Sequence, residues 1–176
     1  MALASALSML SPSAIAQGDK NVIRDLWDYL SPLPGGRFVF SRAVGMAAPY
    51  TNTIGAVVVD LRTGHAEATM RDRHAVRNHL SSVHAVALVN LAELTGNVAL
   101  AYSLPDDARF IVAGLSIEYL KKARGTIRGI CDCDVPSSSA RREYQVVVSM
   151  RDESGDEVAT CTLRSLVGPK RLRGES

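Results

Sequence analysis

Val22, Ile23, Leu26 and Tyr29 recur at helical spacing and predict a short helix over Asn21 to Tyr29, with Asp19 as its cap. Pro32-Leu33-Pro34-Gly35-Gly36 breaks the pattern. A second helix is expected from Arg37 to about Ala47, stopped by Pro49. The chain then turns β-branched. Ile54 to Leu61 predicts a strand, Arg62-Thr63-Gly64-His65 a turn, and Ala66 to Arg71 a returning strand. Ser82 to Tyr102 is the longest helical run, with Ser81 or Ser82 as cap and a turn at Leu104-Pro105-Asp106-Asp107. Val83, Ala87, Leu91, Leu94, Val98 and Ala101 share one side of it, while Val86, Leu88, Val89 and Leu100 lie elsewhere. A helix apolar on nearly every side is a buried helix. Strands follow at Phe110–Leu120, Thr126–Val135, Tyr144–Met150 and Val158–Val167, the last two joined by a hairpin at Glu153-Ser154-Gly155-Asp156. The order predicts an α+β fold: a curved antiparallel sheet of about six strands around one long helix. The sheet's other face would be covered by a partner chain or by the N-terminal helices.

A length of 176 residues fits an N-terminal helical segment (1–48), a sheet-and-helix domain (50–168) and a basic tail (169–176). The formal charge of +2, without long runs of one sign, argues against a nucleic-acid partner. No uninterrupted apolar stretch approaches the roughly 18–20 residues that span a bilayer, so no membrane association is expected. Met1 to Gln17 is uncharged and ends in Ala14-Ile15-Ala16, yet no positive residue precedes Lys20. It reads as a surface helix or loose leader rather than an export signal. Cys131, Cys133 and Cys161 are odd in number and lack the paired spacing of a zinc site, which points to reduced thiols and a cytoplasmic setting. His74, His79 and His84 recur every five residues, a spacing that suits neither a helix face nor a strand face, and no metal is expected.

One charge stands out in the long helix. Asn90, Glu93 and Asn97 form a narrow polar stripe, and Glu93 is the only charged side chain between Ser82 and Tyr102. A carboxylate among apolar neighbours is costly unless paired or used, and burial suits it to acid–base work near neutral pH. The alternative is a gap in the packing, or hydrogen bonding to Asn90 or Asn97. The polar segment Arg77 to Val86 leads into the helix N-terminus, whose free amides would stabilise a developing oxyanion. Eight residues of helix put Glu93 about 12 Å from those amides, so one substrate would need a second chain to complete its pocket.

Asn78, His84 and Leu91-Ala92-Glu93 resemble the N-x5-H-G-G-x5-L-A-D/E pattern of hotdog-fold acyl-CoA thioesterases of the phenylacetate-pathway type. The wider run from Arg77 to Leu94 is more similar still to a thioesterase-like hotdog branch long labelled a domain of unknown function, as are Phe40-Ser41-Arg42, Ala48-Pro49-Tyr50 and Ile117 to Gly125. The resemblance implies a homodimeric or homotetrameric acyl-CoA thioesterase with no cofactor beyond the coenzyme A of its substrate. Glu93 would be the catalytic carboxylate. The amides near Ala85 and Val86 would polarise the thioester carbonyl, and Asn78 would orient water or substrate. His84 would shape the helix start or act catalytically, with Asn90 and Asn97 beside the substrate. Lys121, Lys122 and Arg124 would meet the coenzyme A phosphates. Ala85 and Val86 replace the family's two glycines, which admit close backbone approach, and Asn97 replaces a threonine or serine. An acyl-CoA binder without hydrolysis is the alternative. A hotdog dehydratase is disfavoured, because no proline lies between Tyr50 and Leu104.

Overall fold

A computed structural model describes residues 20–170, so the expected leader and the tail from 171 onward lie outside the described residues. Three helices come first: α1 (Val22–Leu30), α2 (Gly36–Ala47) and α3 (Pro49–Asn52). A hairpin of β1 (Val57–Arg62) and β2 (His65–Met70) leads through a single 3-10 turn to the long helix α4 (Ala85–Ser103). Four strands complete the chain: β3 (Ala108–Tyr119), β4 (Ile127–Asp132), β5 (Arg142–Arg151) and β6 (Glu157–Pro169). All pair antiparallel in one sheet of order β1-β2-β4-β5-β6-β3. This is the expected hotdog arrangement.

α4 seats on the concave face where side chains are smallest. A Cβ on Gly96 would stand 2.5 Å from Leu163, and one on Gly129 would stand 2.6 Å from the Thr95 hydroxyl. Glycine at both points lets helix and sheet meet backbone to side chain. Leu91, Ala92, Ala99 and Leu100 are fully buried against Met70, Ile127, Val148 and Leu163 in one core. The helix is long and apolar enough to cross a bilayer by those measures alone, but here the sheet and N-terminal helices wrap it.

The N-terminal helices join α4 on the concave side and leave the outer face open, contrary to one expectation for that face. Val22, Ile23 and Leu26 of the expected row face the core, joined there by Trp27 and Leu30, while Tyr29 is exposed. Trp27 meets Phe40 of α2 edge-on, ring centroids 5.0 Å apart. The α1 cap is Asn21 rather than Asp19. Its Oδ1 accepts from Arg24 N–H, while its amide donates to the carbonyls of Ala101, Tyr102 and Leu104. One buried side chain thus satisfies the start of α1 and the end of α4 together. Pro49 ends α2 as expected and then opens α3, where its fixed φ suits a first helical position.

The two edges of the sheet are treated differently. Beside β1, α2 approaches closely, and Ser41 Oγ accepts the Val58 N–H at 2.8 Å. None of the described residues covers β3, a twelve-residue strand uncharged from Phe110 to Ile117. A bulge at Ala113 switches its faces, so Phe110, Val112, Leu115, Ile117 and Tyr119 all point to the concave side, opposite core residues of β6. Leu115 and Tyr119 remain substantially exposed there.

Candidate active site

The polar segment before α4 is built by Asn78. Its Oδ1 accepts from the N–H groups of Leu80 and Ser82 and from the Ser82 hydroxyl, an Asx turn that also holds Ser81 at φ 52°. Oδ1 is therefore committed to the loop. Its Nδ2 makes no hydrogen bond among the described residues and is the only part of Asn78 able to orient a substrate. Val83 N–H donates to the Ala123 carbonyl, which pins the segment beside the β3–β4 connection.

His84 caps α4 in extended conformation, its Nδ1 accepting from Val86 N–H at 3.1 Å. Two expectations change. Ser81 and Ser82 do not cap the helix, because Ser82 is spent on Asn78. The Val86 amide is occupied by His84 and is not free to polarise a carbonyl. The N–H groups of Ala87 and Leu88 both reach the His84 carbonyl. Ala85 N–H alone stays without a partner among the described residues, so the amide cradle narrows to one donor.

Tyr119 was not singled out by the sequence reading. Its hydroxyl donates to the Ala85 carbonyl at 3.3 Å, tying the end of β3 to the first residue of α4. Burial, with the Cys161 thiol nearby, pushes the Tyr119 pKa above its ordinary value and keeps the phenol protonated. Its position on the concave face depends on the β3 bulge, which no sequence pattern announces.

Glu93 lies two turns into α4 and is half-buried. Its carboxylate has no hydrogen bond or ion pair among the described residues. It stands close enough to the Cys161 thiol of β6 to help burial push that thiol up to about 11. Cys161 pairs with Ile117 in the sheet, so Glu93 faces the uncovered β3 side. Neither neighbouring amide bonds it. Asn90 Nδ2 donates to the Tyr50 carbonyl at 3.1 Å, and the Asn90 and Asn97 Oδ1 atoms are buried without partners. Val86, Val89, Glu93 and Asn97 form a half-exposed stripe along α4, facing the apolar side of β3, with Glu93 its only charge. Four clefts of the single chain lie elsewhere, and none of them is lined by Glu93.

The expected phosphate-binding cations separate. Lys121 Nζ is held by Asp152 at 2.8 Å and Asp156 at 2.6 Å, which raises its pKa. Lys122 is exposed, and Arg124 lines a separate cleft.

The family model of a domain of unknown function, DUF4442, matches residues 36–167, spanning α2 to β6 and the whole of this site. The chain belongs to the DUF4442 family. A structural-genomics target, APC5556, is 31% identical to this DUF4442 chain, with a TM-score of 0.73 over 84% of it and 98% of its own length. A Pseudomonas aeruginosa protein of unknown function, named a probable thioesterase, is 22% identical with a TM-score of 0.67, covering 78% of this chain and 97% of its own. A Haemophilus influenzae thioesterase is 17% identical with a TM-score of 0.63, over 72% of this chain and 87% of that one. No curated protein matches the chain. The fold of this DUF4442 protein is the hotdog fold shared with thioesterase-family proteins.

Proposed function

We propose that this DUF4442 protein is a homodimeric acyl-CoA thioesterase, with Glu93 of one protomer working beside the α4 N-terminus of its partner. The observation that carries this reading is the half-buried Glu93 carboxylate, unpaired among the described residues, on an otherwise uncharged stripe facing a sheet edge that none of them covers. A charge kept partly desolvated without a partner is costly, and a role in chemistry accounts for it.

Within one chain the Ala85 amide and Glu93 are about 12 Å apart along the helix, too far for one thioester. Glu93 stands near Cys161, the sheet partner of Ile117, and the Ala85 carbonyl takes the Tyr119 hydroxyl. Antiparallel pairing of two β3 edges about a twofold axis between Ile117 and Tyr119 brings each Glu93 toward the partner's α4 N-terminus. The edge suits such pairing, since a long strand uncharged from Phe110 to Ile117 and unpaired on that side among the described residues is a template for another strand.

In the reaction, Glu93 accepts a proton from water as the oxygen attacks the thioester carbon. The tetrahedral oxyanion takes the Ala85 N–H of the second protomer. Collapse breaks the C–S bond, and the thiolate leaves with the proton Glu93 had taken. The products are a carboxylic acid and coenzyme A thiol. Asn78 Nδ2 orients the substrate carbonyl or the water.

Ala85 is the first residue of α4, where proline is well tolerated and lacks the N–H. His84, at φ −68° and ψ 139°, already has the backbone that a following proline demands. Ala85→Pro and Glu93→Gln should each be inactive on acyl-CoA. Mixing them should restore about a quarter of the wild-type sites by random assortment of half-sites into dimers. No recovery from subunits shown to exchange would refute the shared site.

Acyl-CoA binding without hydrolysis is the second reading, favoured by the capture of Val86 N–H by His84. Wild-type turnover across an acyl-CoA panel no faster than that of Glu93→Gln would select it.

A further inference from the structure

A cleft of about 470 Å³ opens beside the polar segment that feeds α4, lined by Arg71, Arg77, Ser81, Arg124, Gly125 and Thr126 together with Asp72 and Glu153. Its charges are not equivalent. Arg77 is held in a two-pronged pair with Asp72, at 2.6 and 3.2 Å, and Asp72 also accepts the Gly125 N–H. Glu153 accepts the Thr126 N–H at 2.9 Å. Both carboxylates are thus tied to cleft-wall donors. Arg71 and Arg124 are exposed and make no ion pair among the described residues. Arg77 retains donor capacity after its two bonds, since a guanidinium carries five.

Three guanidinium groups around an open cleft suit a ligand with phosphate oxygens, which arginine engages through paired, charge-assisted hydrogen bonds. The position adds to this. Arg124 follows Ala123, whose carbonyl holds Val83 at the entrance to α4. Ser81 lines the cleft and lies four residues before Ala85. A ligand seated by its phosphates here has its other end free to run toward the α4 N-terminus.

We propose that the Arg71–Arg77–Arg124 cleft is the docking site for the phosphorylated nucleotide end of a coenzyme-A-type substrate. The inference rests on the thioesterase reading for its choice of ligand, and its geometry is independent of the hydrolytic step. It moves phosphate recognition from Lys121, which Asp152 and Asp156 neutralise, to the arginines on the α4 side. Asp72 orients Arg77, and Glu153 opposes the ligand's charge from the cleft rim.

The test is calorimetric titration of the whole protein with adenosine bisphosphate, the nucleotide end of coenzyme A, which contains no thioester. Wild type should bind it, and more weakly as salt rises. Arg71→Ala/Arg124→Ala should weaken binding about tenfold to a hundredfold, the range for hydrogen bonds to charged groups. Arg37→Ala, which removes one exposed cation from α2, should leave it unchanged. Glu153→Gln keeps the acceptor for Thr126 and should tighten binding a few-fold. In turnover, the double variant should raise KM for an acyl-CoA by a similar factor with kcat retained. Equal affinity of wild type and double variant, or no binding to wild type, overturns the cleft, whatever the hydrolysis result. Binding that depends on the arginines, without hydrolysis of any thioester, sustains the cleft and refutes the thioesterase reading instead.

Discussion

At the residue scale the site depends on which polar atoms are already occupied. His84 spends Nδ1 on the Val86 amide and Asn78 spends Oδ1 on its own loop, leaving the Ala85 N–H, the Asn78 Nδ2 and the Glu93 carboxylate available. His84→Ala should lose the helix cap and lower stability by about 0.5–2 kcal/mol. That corresponds to a fall of a few degrees in Tm, read by thermal denaturation. His84→Asn, a preferred capping residue, should recover the loss, and an unchanged Tm for the alanine variant would show that the cap contributes nothing. The isolation of Glu93 was legible because a lone acid in an apolar helix breaks the pattern. The cap was not, because Ser81 and Ser82 are better capping types than histidine. Only the backbone geometry, with Ser82 drawn into the Asn78 turn, decides between them.

At the scale of elements, strand and helix identities followed from periodicity. Ile127, Gly129 and Cys131 alternate inward along β4, and the alternation in β5 and β6 is equally regular. The open outer face and the β3 bulge were not legible. Both depend on which side of the sheet the N-terminal helices choose and on one extra residue, Ala113. That residue keeps Leu115, Ile117 and Tyr119 on the concave face, the side on which α4 lies. The bare β3 edge makes its own prediction. Ser116 is exposed within the proposed pairing, so Ser116→Lys places a charge on each of the two mated edges without touching the core. Sedimentation should show the dimer dissociating toward monomer while circular dichroism stays native. A dimer as tight as wild type would place the interface elsewhere.

For the whole molecule, carboxylates held by cations or backbone amides brace both loops and strands. Asp72 is held below its ordinary pKa by Arg77, Glu143 by Arg164, Asp152 by Lys121, and Glu153 by the Thr126 backbone. Folded values below unfolded ones mean that these pairs stabilise fully above the ordinary carboxylate range and lose that contribution as pH falls through the folded values. Tm should be level from neutral pH to about 5 and drop below about 4. Added salt should shrink the drop, because the pairs are exposed. A Tm that falls already between pH 7 and 5 would point to a different titrating group.

The central claim is that Glu93 performs acid–base chemistry on a thioester, and steady-state hydrolysis of an acyl-CoA panel by wild type and Glu93→Gln tests it most directly. The account predicts wild-type turnover and a loss in kcat of about a hundredfold to ten-thousandfold in the variant, with its Tm and dimerisation unchanged. Equal rates for the two proteins, or no turnover of any acyl-CoA by wild type, would contradict it.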